Sequence, residues 1–295
     1  MLFHLRNRIH GFPKYRPPNQ RWVHLIIESP VHCHLCTRFK NIFNLSATYT
    51  QESDFTSLYW TDSGVYWEEN ESFTIDQSIH NKNMSAVALI SNCRLGEKDT
   101  RLDFIKELQN YMPVKIYGKC GKSCPSNGMD CRKYISNKYK FFLLFENSFC
   151  RDYITEKLFN TLKYNILPVV LGGGNYSYYI PKSAYINALD FSSAKNLTDY
   201  LIYLSSNQTA YEEYFVWKKY IKYVKNPPQM GFLCEMCIQL HLEDYLGQIK
   251  VKSLDKMKKR YGLKDNCKKI SFDSVTRYYT ISDQGLSYSY IMSPS

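Results

Sequence analysis

Apolar and polar positions follow two different periods along the middle of the chain. Short, mainly apolar runs typical of buried strands cover Ala86–Ile90, Val114–Tyr117, Tyr139–Phe145 and Leu167–Leu171. Between these runs, apolar residues fall at helical spacing, first at Leu102, Ile105, Leu108 and Met112 and then at Ile154, Leu158, Phe159 and Leu162. Strands that alternate with helices predict an α/β fold with a parallel, doubly wound sheet.

The two ends of the chain are patterned less clearly. One strand is predicted at Trp22–Ile27, after the turn-forming Arg16–Asn19, and the rest of the first segment is polar and weakly patterned. Beyond the central region we expect a short strand around Tyr185 and a helix from about Leu197 into Trp217. The predicted units are a short N-terminal lobe over residues 1–84, a nucleotide-type lobe over 85–225 and a C-terminal tail over 226–295.

Composition narrows the class of protein. With 295 residues, of which 44% are hydrophobic, the chain has room for one large domain or two ordinary ones, and disorder or a collagen-like fibre is excluded. Lys and Arg exceed Asp and Glu by 11. This excess suits a polyanionic partner, an acidic membrane surface or a phosphate-bearing substrate, and charge alone does not choose among them.

Ten cysteines require either disulfides or zinc. Two Cys-x-x-Cys pairs, Cys33/Cys36 and Cys234/Cys237, could form one four-cysteine zinc site, but their wide separation favours disulfides. A further group lies within one loop, at Cys120, Cys124 and Cys131, where bridges would rigidify an irregular segment, and sequence does not give the connectivity.

Glycosylation sequons point to the same compartment as the cysteines. Six Asn-x-Ser/Thr sequons occur, at Asn44, Asn70, Asn83, Asn175, Asn196 and Asn207. Cysteines and sequons together favour an oxidising secretory lumen. No apolar run is long enough for a membrane span, and Met1–Gly11 does not read as a signal peptide. Hence we expect either a missing N-terminal segment or a different compartment.

Candidate chemistry lies where the predicted parallel strands end, because ligands bind beyond the carboxyl ends of such strands. The four segments there are Ser91–Cys93 leading to Arg101, Phe145–Ser148, Asp152–Lys157 and Gly172–Gly174. Arg101 and Lys157 fall near helix starts, where a cation opposes the helix dipole and a bound anion would remove the conflict. Alternatively, both are solvated surface cations, Asp152 is a helix N-cap, Glu156 is an ordinary first-turn acid, and the glycines form only a tight turn.

An acidic residue follows the first predicted strand. Glu28 directly follows Trp22–Ile27 and can serve as a general base or be an ordinary surface acid. The chain has no Walker loop and no Gly-x-Gly-x-x-Gly, which disfavours a P-loop NTPase or a dinucleotide oxidoreductase. It also has no Asp-x-Asp, so a diphosphate would be neutralised by cationic side chains and helix N-termini rather than by a carboxylate-held metal.

Several motifs in the same order resemble those of a known family. They are Ile90–Cys93, Tyr139–Ser148, Asp152–Lys157 and Leu167–Val170, within a resemblance that runs from Arg21 to about Lys219. The sequence resembles the α1,3-fucosyltransferases of glycosyltransferase family 10, which use GDP-fucose. Phe145–Tyr153 is similar to invertebrate and plant members that fucosylate the N-glycan core.

The resemblance implies a fold, a reaction and a set of site residues. The fold is GT-B, two Rossmann-like lobes facing across a cleft, here with an incomplete N-terminal lobe. The implied reaction is inverting transfer of fucose from GDP-fucose to a hydroxyl, O3 of GlcNAc, on a glycoprotein or glycolipid glycan. Glu28 would take the acceptor proton, and Arg101 and Lys157 would hold the diphosphate. Asn147, Tyr153 and Glu156 would surround nucleotide and fucose.

No resident cofactor or metal ligand follows from the resemblance, and divalent-ion stimulation stays open. The implied location is the Golgi lumen, as a type II membrane protein whose membrane association depends on an anchor preceding this sequence. The chain departs from the family at Tyr49–Asp54, which lacks two arginines that members usually carry there. This departure keeps a second hypothesis open, a catalytically impaired nucleotide- or glycan-binding homologue. A nucleic-acid-binding surface ranks third, because no nucleic-acid module is present.

Overall fold

The computed structural model describes residues 1–4, 11–18, 20–32, 42–56, 63–67, 71–93, 100–125, 128–225, 231–247, 267–272 and 279–283. Within these ranges the chain forms two parallel sheets and two smaller antiparallel ones. No helix in the described part of the chain is both long and apolar enough to cross a membrane.

The first sheet has four parallel strands in chain order. They are β1 (Leu2–His4), β2 (Val23–Ile26), β3 (Leu45–Thr48) and β4 (Phe55–Thr56). The strand predicted at Trp22–Ile27 is confirmed as β2. The weakly patterned remainder of this segment contributes the other three strands of the sheet. All four residues of β3 are buried, including the hydroxyl-bearing Ser46 and Thr48, so its apolar and polar residues do not mark a buried and an exposed face.

The second sheet has five parallel strands in the order β11-β10-β8-β6-β7. They are β6 (Met84–Leu89), β7 (Val114–Tyr117), β8 (Tyr139–Phe145), β10 (Leu167–Leu171) and β11 (Ile186–Asn187). Each of these strands was predicted, within one or two residues of its observed bounds. The strand order, with β8 at the centre and crossovers to both sides, confirms the doubly wound topology.

Helices connect and cover these strands. They are α1 (Thr100–Gln109), α2 (Cys131–Lys138), α3 (Glu156–Leu162), α4 (Ala194–Ser206), α5 (Gln208–Glu213) and α6 (Gly231–Tyr245). The helix predicted from Leu197 into Trp217 is in fact broken at Asn207, whose side chain accepts a hydrogen bond from Ala210 N and so starts α5. Sequence analysis missed α2, which Asp130 caps through Arg132 N.

The central strand β8 is buried on both faces. Phe141, Leu143 and Phe145 pack on one side of the sheet with residues of α1 and α4. Phe142 and Leu144 pack on the other side with residues of α3. Because successive side chains of a strand point to opposite faces, a strand covered on both sides reads as an unbroken apolar run.

Segments late in the chain pack against earlier parts of both lobes. Strand β5 (Ser63–Trp67) pairs antiparallel with β12 (Ile221–Lys225). Met236 and Leu240 of α6 pack against the apolar cluster of β2, β3 and β4. Two antiparallel strands, β13 (Cys267–Phe272) and β14 (Tyr279–Asp283), join β9 (Phe149–Cys150). The domain limits 1–84, 85–225 and 226–295 stay a prediction.

Three disulfides cross-link the described residues. They join Cys93 to Cys120, Cys124 to Cys131 and Cys150 to Cys267. The preference for disulfides is confirmed for these six residues, including all three cysteines of the predicted loop cluster. Both cysteines of the late Cys-x-x-Cys pair, Cys234 and Cys237 on α6, are free and exposed, whereas Cys33 and Cys36 lie outside the described residues.

Candidate functional site

The carboxyl ends of three neighbouring strands form the candidate site. β10, β8 and β6 are adjacent and parallel, so the residues that follow them lie at one edge of the second sheet. These residues are Gly172–Gly174, Glu146–Ser148 and Ser91–Cys93. The sequence-based expectation that these segments share an edge is therefore confirmed.

A buried carboxylate organises the centre of this edge. Glu146 is 5% exposed, and its Oε1 accepts hydrogen bonds from the backbone N and Oγ1 of Thr155 at 3.0 and 2.9 Å. Its Oε2 accepts from Lys157 Nζ at 2.6 Å. Lys157 Nζ also lies 3.3 Å from the carbonyl oxygen of Phe145. The lysine expected to bind the diphosphate therefore stands at the site, held by an acidic partner that sequence analysis did not single out.

Helix α3 starts at this carboxylate. Thr155, not Asp152, is the N-cap, and its side chain accepts from Lys157 N at 3.4 Å. Glu156 follows as the first residue of the helix and is half-buried beside Lys157. An acid in the first turn complements the helix dipole, so this position of Glu156 is stabilising with or without a ligand.

Asn147 and Ser148 follow Glu146 at the end of β8 and differ in their hydrogen bonding. The Oδ1 atom of Asn147 is buried and finds no hydrogen-bond donor among the residues that the structure describes. Ser148 Oγ accepts from Ser29 Oγ at 2.7 Å, and both serines are buried. Ser29 directly follows Glu28 in the loop after β2. This hydrogen bond therefore ties the end of β2 to the end of β8.

Glu28 and Tyr153 meet between the two sheets. The Tyr153 hydroxyl donates to Glu28 Oε2 at 3.4 Å. The ring of Tyr153 is 1% exposed and packs edge-on against Tyr49, with centroids 4.9 Å apart. Since Glu28 follows β2 and Tyr153 belongs to the second lobe, the carboxyl edges of the two parallel sheets face each other here. Glu28 and a candidate donor-site residue are thus brought into contact.

The segment Tyr49–Asp54, where the chain departs from the family pattern, lies against the second lobe. Gln51 N donates to Asp152 Oδ2 at 3.4 Å, and Arg151 Nη1 lies 3.1 Å from Glu52 Oε1. Asp152 has a φ of 62°, which is rare for a non-glycine residue. This conformation turns the chain between β9 and α3 and places Asp152 at the contact with Gln51.

Arg101 stands at the neighbouring strand end. It lies in the first turn of α1, is 8% exposed, and its Nη2 donates to the carbonyl oxygen of Asn92 at 3.1 Å. Phe104 of the same helix stacks on Phe145 at 5.4 Å, which fixes the start of α1 next to the end of β8. Residues 94–99, between β6 and α1, lie outside the described residues.

The three glycines are required by close packing. A Cβ at Gly172 would lie 2.4 Å from the hydroxyl oxygen of Tyr176, and one at Gly173 would lie 2.5 Å from the carbonyl oxygen of Cys150. A Cβ at Gly174 would lie 2.3 Å from a side-chain carbon of Ile154. Their role is therefore to let the chain after β10 approach the chain before α3, rather than only to form a tight turn.

Two members of the site were missed by sequence reasoning. Glu146 lies in the candidate segment Phe145–Ser148, but no function was predicted for it. An acid that directly follows an apolar strand and precedes a buried helix start is a recognisable signal. Tyr176, 3% exposed, carried no distinguishing pattern in an already tyrosine-rich chain. Burial and the nearby Glu146 charge raise the pKa of Tyr176 well above its usual value, so its hydroxyl is protonated at neutral pH.

Among the described residues, no group of three or more His, Cys, Asp or Glu side chains is arranged to hold a metal ion.

Comparison with known sequences decides the family. Residues 79–257 match the family described as glycosyltransferase family 10 (fucosyltransferase) C-term, and residues 1–60 match its fucosyltransferase N-terminal counterpart. The chain belongs to glycosyltransferase family 10. The two matched ranges contain the family-10 motifs quoted from the sequence and all the candidate site residues.

Curated relatives agree with this assignment. The family-10 chain is 35% identical over 242 residues to glycoprotein 3-alpha-L-fucosyltransferase A of Drosophila melanogaster, covering 78% of this chain and 46% of that protein. It is 33% identical over 211 residues to alpha-(1,3)-fucosyltransferase fut-1 of Caenorhabditis elegans, covering 70% and 48%. The chain thus spans about half the length of these two relatives.

Solved structures support the fold. A crystal structure of an alpha1,3-fucosyltransferase with GDP-fucose is similar with a TM-score of 0.54 at 17% identity, covering 76% of each chain. A second, with GDP, has a TM-score of 0.52 at 16% identity and covers 77% of this chain and 80% of that one. The family-10 protein therefore has the α/β GT-B fold expected from its sequence.

Proposed function

We propose that this protein transfers fucose from GDP-fucose to a hydroxyl group of a glycan, with inversion at the sugar carbon. Family membership and the alpha1,3-fucosyltransferase names of its relatives support the donor and the reaction class. The observation that carries the proposal for this chain is the 3.4 Å contact between Glu28 and Tyr153. It places a carboxylate of one lobe beside the candidate donor-site residues of the other.

Glu28 is the general base in this proposal. It accepts the proton of the acceptor hydroxyl while that oxygen forms a bond to the anomeric carbon of fucose. The bond between that carbon and the phosphate oxygen breaks, and GDP leaves with the electron pair. Glu28 is half-buried at the seam between the lobes, next to a candidate donor-site residue of the second lobe.

Arg101 and Lys157 stabilise the departing diphosphate. Both stand at the start of a helix at the carboxyl edge of the second sheet, where backbone N–H groups also favour an anion. Charge that grows on a leaving group is stabilised most by groups already in place, and losing one such group typically lowers the rate by about a hundredfold or more. Asn147, Tyr153 and Glu156 complete the donor site. The Oδ1 atom of Asn147 is buried and has no hydrogen-bond partner within the described part of the chain.

The acceptor is proposed to be O3 of GlcNAc in a glycoprotein or glycolipid glycan, with the N-glycan core as the leading case. The printed name of the Drosophila relative, a glycoprotein 3-alpha-L-fucosyltransferase, supports this class. Three disulfides among the described residues and six sequons support a lumenal location, which we propose to be the Golgi.

A product-mapped transfer assay tests the proposal. The protein is incubated with GDP-fucose on a glycan array, and the linkage of any product is determined. Glu28→Gln should abolish turnover while leaving GDP affinity nearly unchanged, since Gln keeps the shape of the side chain but cannot take a proton. Glu52→Gln, at the same edge of the first lobe but paired with Arg151, is the matched control and should retain turnover.

Two results would contradict these assignments. Full activity of Glu28→Gln would refute the assignment of the base. Retained GDP binding by the wild-type protein, with no transfer to any glycan on the array, would instead favour the catalytically impaired binding homologue.

A further inference from the structure

Tyr176 carries a buried hydroxyl group that finds no hydrogen-bond partner among the residues that the structure describes. The side chain is 3% exposed and lies at the start of a short 3-10 helix, Tyr176–Tyr178, just after the three glycines. A buried hydroxyl without a hydrogen-bond partner destabilises the folded state. Such a group in a folded protein calls for an explanation, and its surroundings supply one.

Gly172 lies next to both this hydroxyl and the side chain of Glu146. A Cβ at Gly172 would lie 2.4 Å from Tyr176 Oη and 3.1 Å from Glu146 Cγ. The tyrosine hydroxyl and the glutamate side chain therefore flank the same α-carbon, and the lack of a side chain on the glycine leaves the space between them clear. The hydroxyl can donate a hydrogen bond, and the acidic side chain on the other side of Gly172 is that of Glu146.

Glu146 already has partners on both oxygens. Thr155 donates to both of them, and Lys157 Nζ donates to Oε2 at 2.6 Å. In the proposed function, the donor diphosphate competes for the same ammonium group. A lysine that turns toward the diphosphate leaves Glu146 as a buried carboxylate whose charge has lost its counter-ion, which is costly unless another donor replaces it.

We propose that Tyr176 is a positioning residue for donor binding, whose hydroxyl donates to Glu146 when Lys157 turns from Glu146 to the diphosphate. The inference rests on the proposed function, because it needs a diphosphate at this edge. No covalent bond changes. Lys157 exchanges a carboxylate for a phosphate oxygen, and Tyr176 gains the hydrogen bond that it lacks.

Tyr176→Phe separates this role from a structural one. The variant removes only the hydroxyl, which has no partner to lose until nucleotide binds. We therefore expect the melting temperature without nucleotide to stay equal to that of the wild type or to rise. Affinity for GDP should fall about 12-fold, the effect of losing one hydrogen bond to a charged group at the low end of its range.

Tyr211→Phe is the matched control. Tyr211 is equally buried, at 1% exposed, but its hydroxyl donates to the carbonyl oxygen of Lys140 at 2.7 Å, away from the candidate site. Its removal leaves a partly buried carbonyl oxygen without this donor. Tyr211→Phe should therefore lower the melting temperature and leave GDP affinity unchanged, the opposite of the pattern expected for Tyr176→Phe.

The experiment combines calorimetric titration with GDP and thermal unfolding without nucleotide, on wild type, both single variants and Tyr176→Phe in a Lys157→Met background. The effect of Tyr176→Phe on GDP affinity should disappear in that background, where no lysine leaves Glu146. Equal GDP affinity of wild type and Tyr176→Phe would overturn the inference, as would a fall in melting temperature as large as that of Tyr211→Phe. A wild-type protein that does not bind GDP at all would refute the proposed function itself.

Discussion

Replacing Glu146 by glutamine should lower the free energy of unfolding by about 2–4 kcal/mol. The carboxylate side chain is 2% exposed and Lys157 is 25% exposed, so water replaces the lost partner poorly. The variant keeps an oxygen for Thr155 N but gives up the 2.6 Å contact with the ammonium group. Hydrogen bonds to charged groups contribute about 1.5–3 kcal/mol, and breaking a buried pair from one side costs about 3–5 kcal/mol. Because Lys157 is partly exposed to water, we expect the loss of unfolding free energy to lie near the lower end of the range given above.

A second ion pair provides a control at the same distance. Lys195 Nζ and Asp199 Oδ2 on α4 are also 2.6 Å apart, but both side chains are more than half exposed. Exposed pairs four residues apart on a helix contribute about 0.3–0.5 kcal/mol. Asp199→Asn should therefore change stability very little, although the two contacts have the same length.

Urea unfolding followed by circular dichroism measures both variants, and a double-mutant cycle with Lys157→Met isolates the pair. The coupling energy between Glu146 and Lys157 should exceed about 1 kcal/mol, because each single variant leaves the other group without its partner. If Glu146→Gln costs no more than Asp199→Asn, burial does not strengthen this pair and the reasoning is refuted.

Two further predictions concern stability. Burial lowers the pKa of His24 from its usual 6.5 to about 4, so the unfolded chain takes up a proton at this residue before the folded chain does as the pH falls. Between pH 6.5 and 4 the free energy of unfolding should therefore drop by about 3 kcal/mol more in wild type than in His24→Asn. Denaturant titrations at each pH measure this difference, and equal pH dependence of the two proteins would contradict it. The Cys150–Cys267 disulfide joins residues 117 apart, whereas Cys124–Cys131 spans seven, so chain entropy predicts losses of about 5 and about 2 kcal/mol when each pair is changed to alanine. Equal losses in melting experiments would show that loop length does not govern the effect.

The second sheet was predictable from sequence because burial on both faces leaves a plain signal. Tyr139–Phe145 is apolar almost throughout, and the strands and helices around it repeat at regular intervals. By contrast, Leu45–Thr48 is short and contains small and hydroxyl-bearing residues, so its burial in the first sheet is a tertiary effect that local sequence does not reveal.

The candidate site was predictable as a set of loops but not as a set of contacts. The edge shared by Glu146, Lys157 and the glycines follows from strand order, which the alternation of strands and helices implies. Two contacts depend on distances between loops that follow different strands. They are the pairing of Lys157 with Glu146 and the contact of Asp152, at its positive φ, with Gln51. Residue types and spacing carry no information on such distances.

The return of α6 to the first sheet has a consequence for the order of folding during synthesis. Met236 and Leu240 cover apolar residues of β2, β3 and β4, although they come from the opposite end of the described chain. The second sheet, in contrast, is built from one contiguous stretch between β6 and β11. On a ribosome the second lobe can therefore be completed while the first still exposes an apolar face. A nascent chain in that interval is the species that most needs a chaperone.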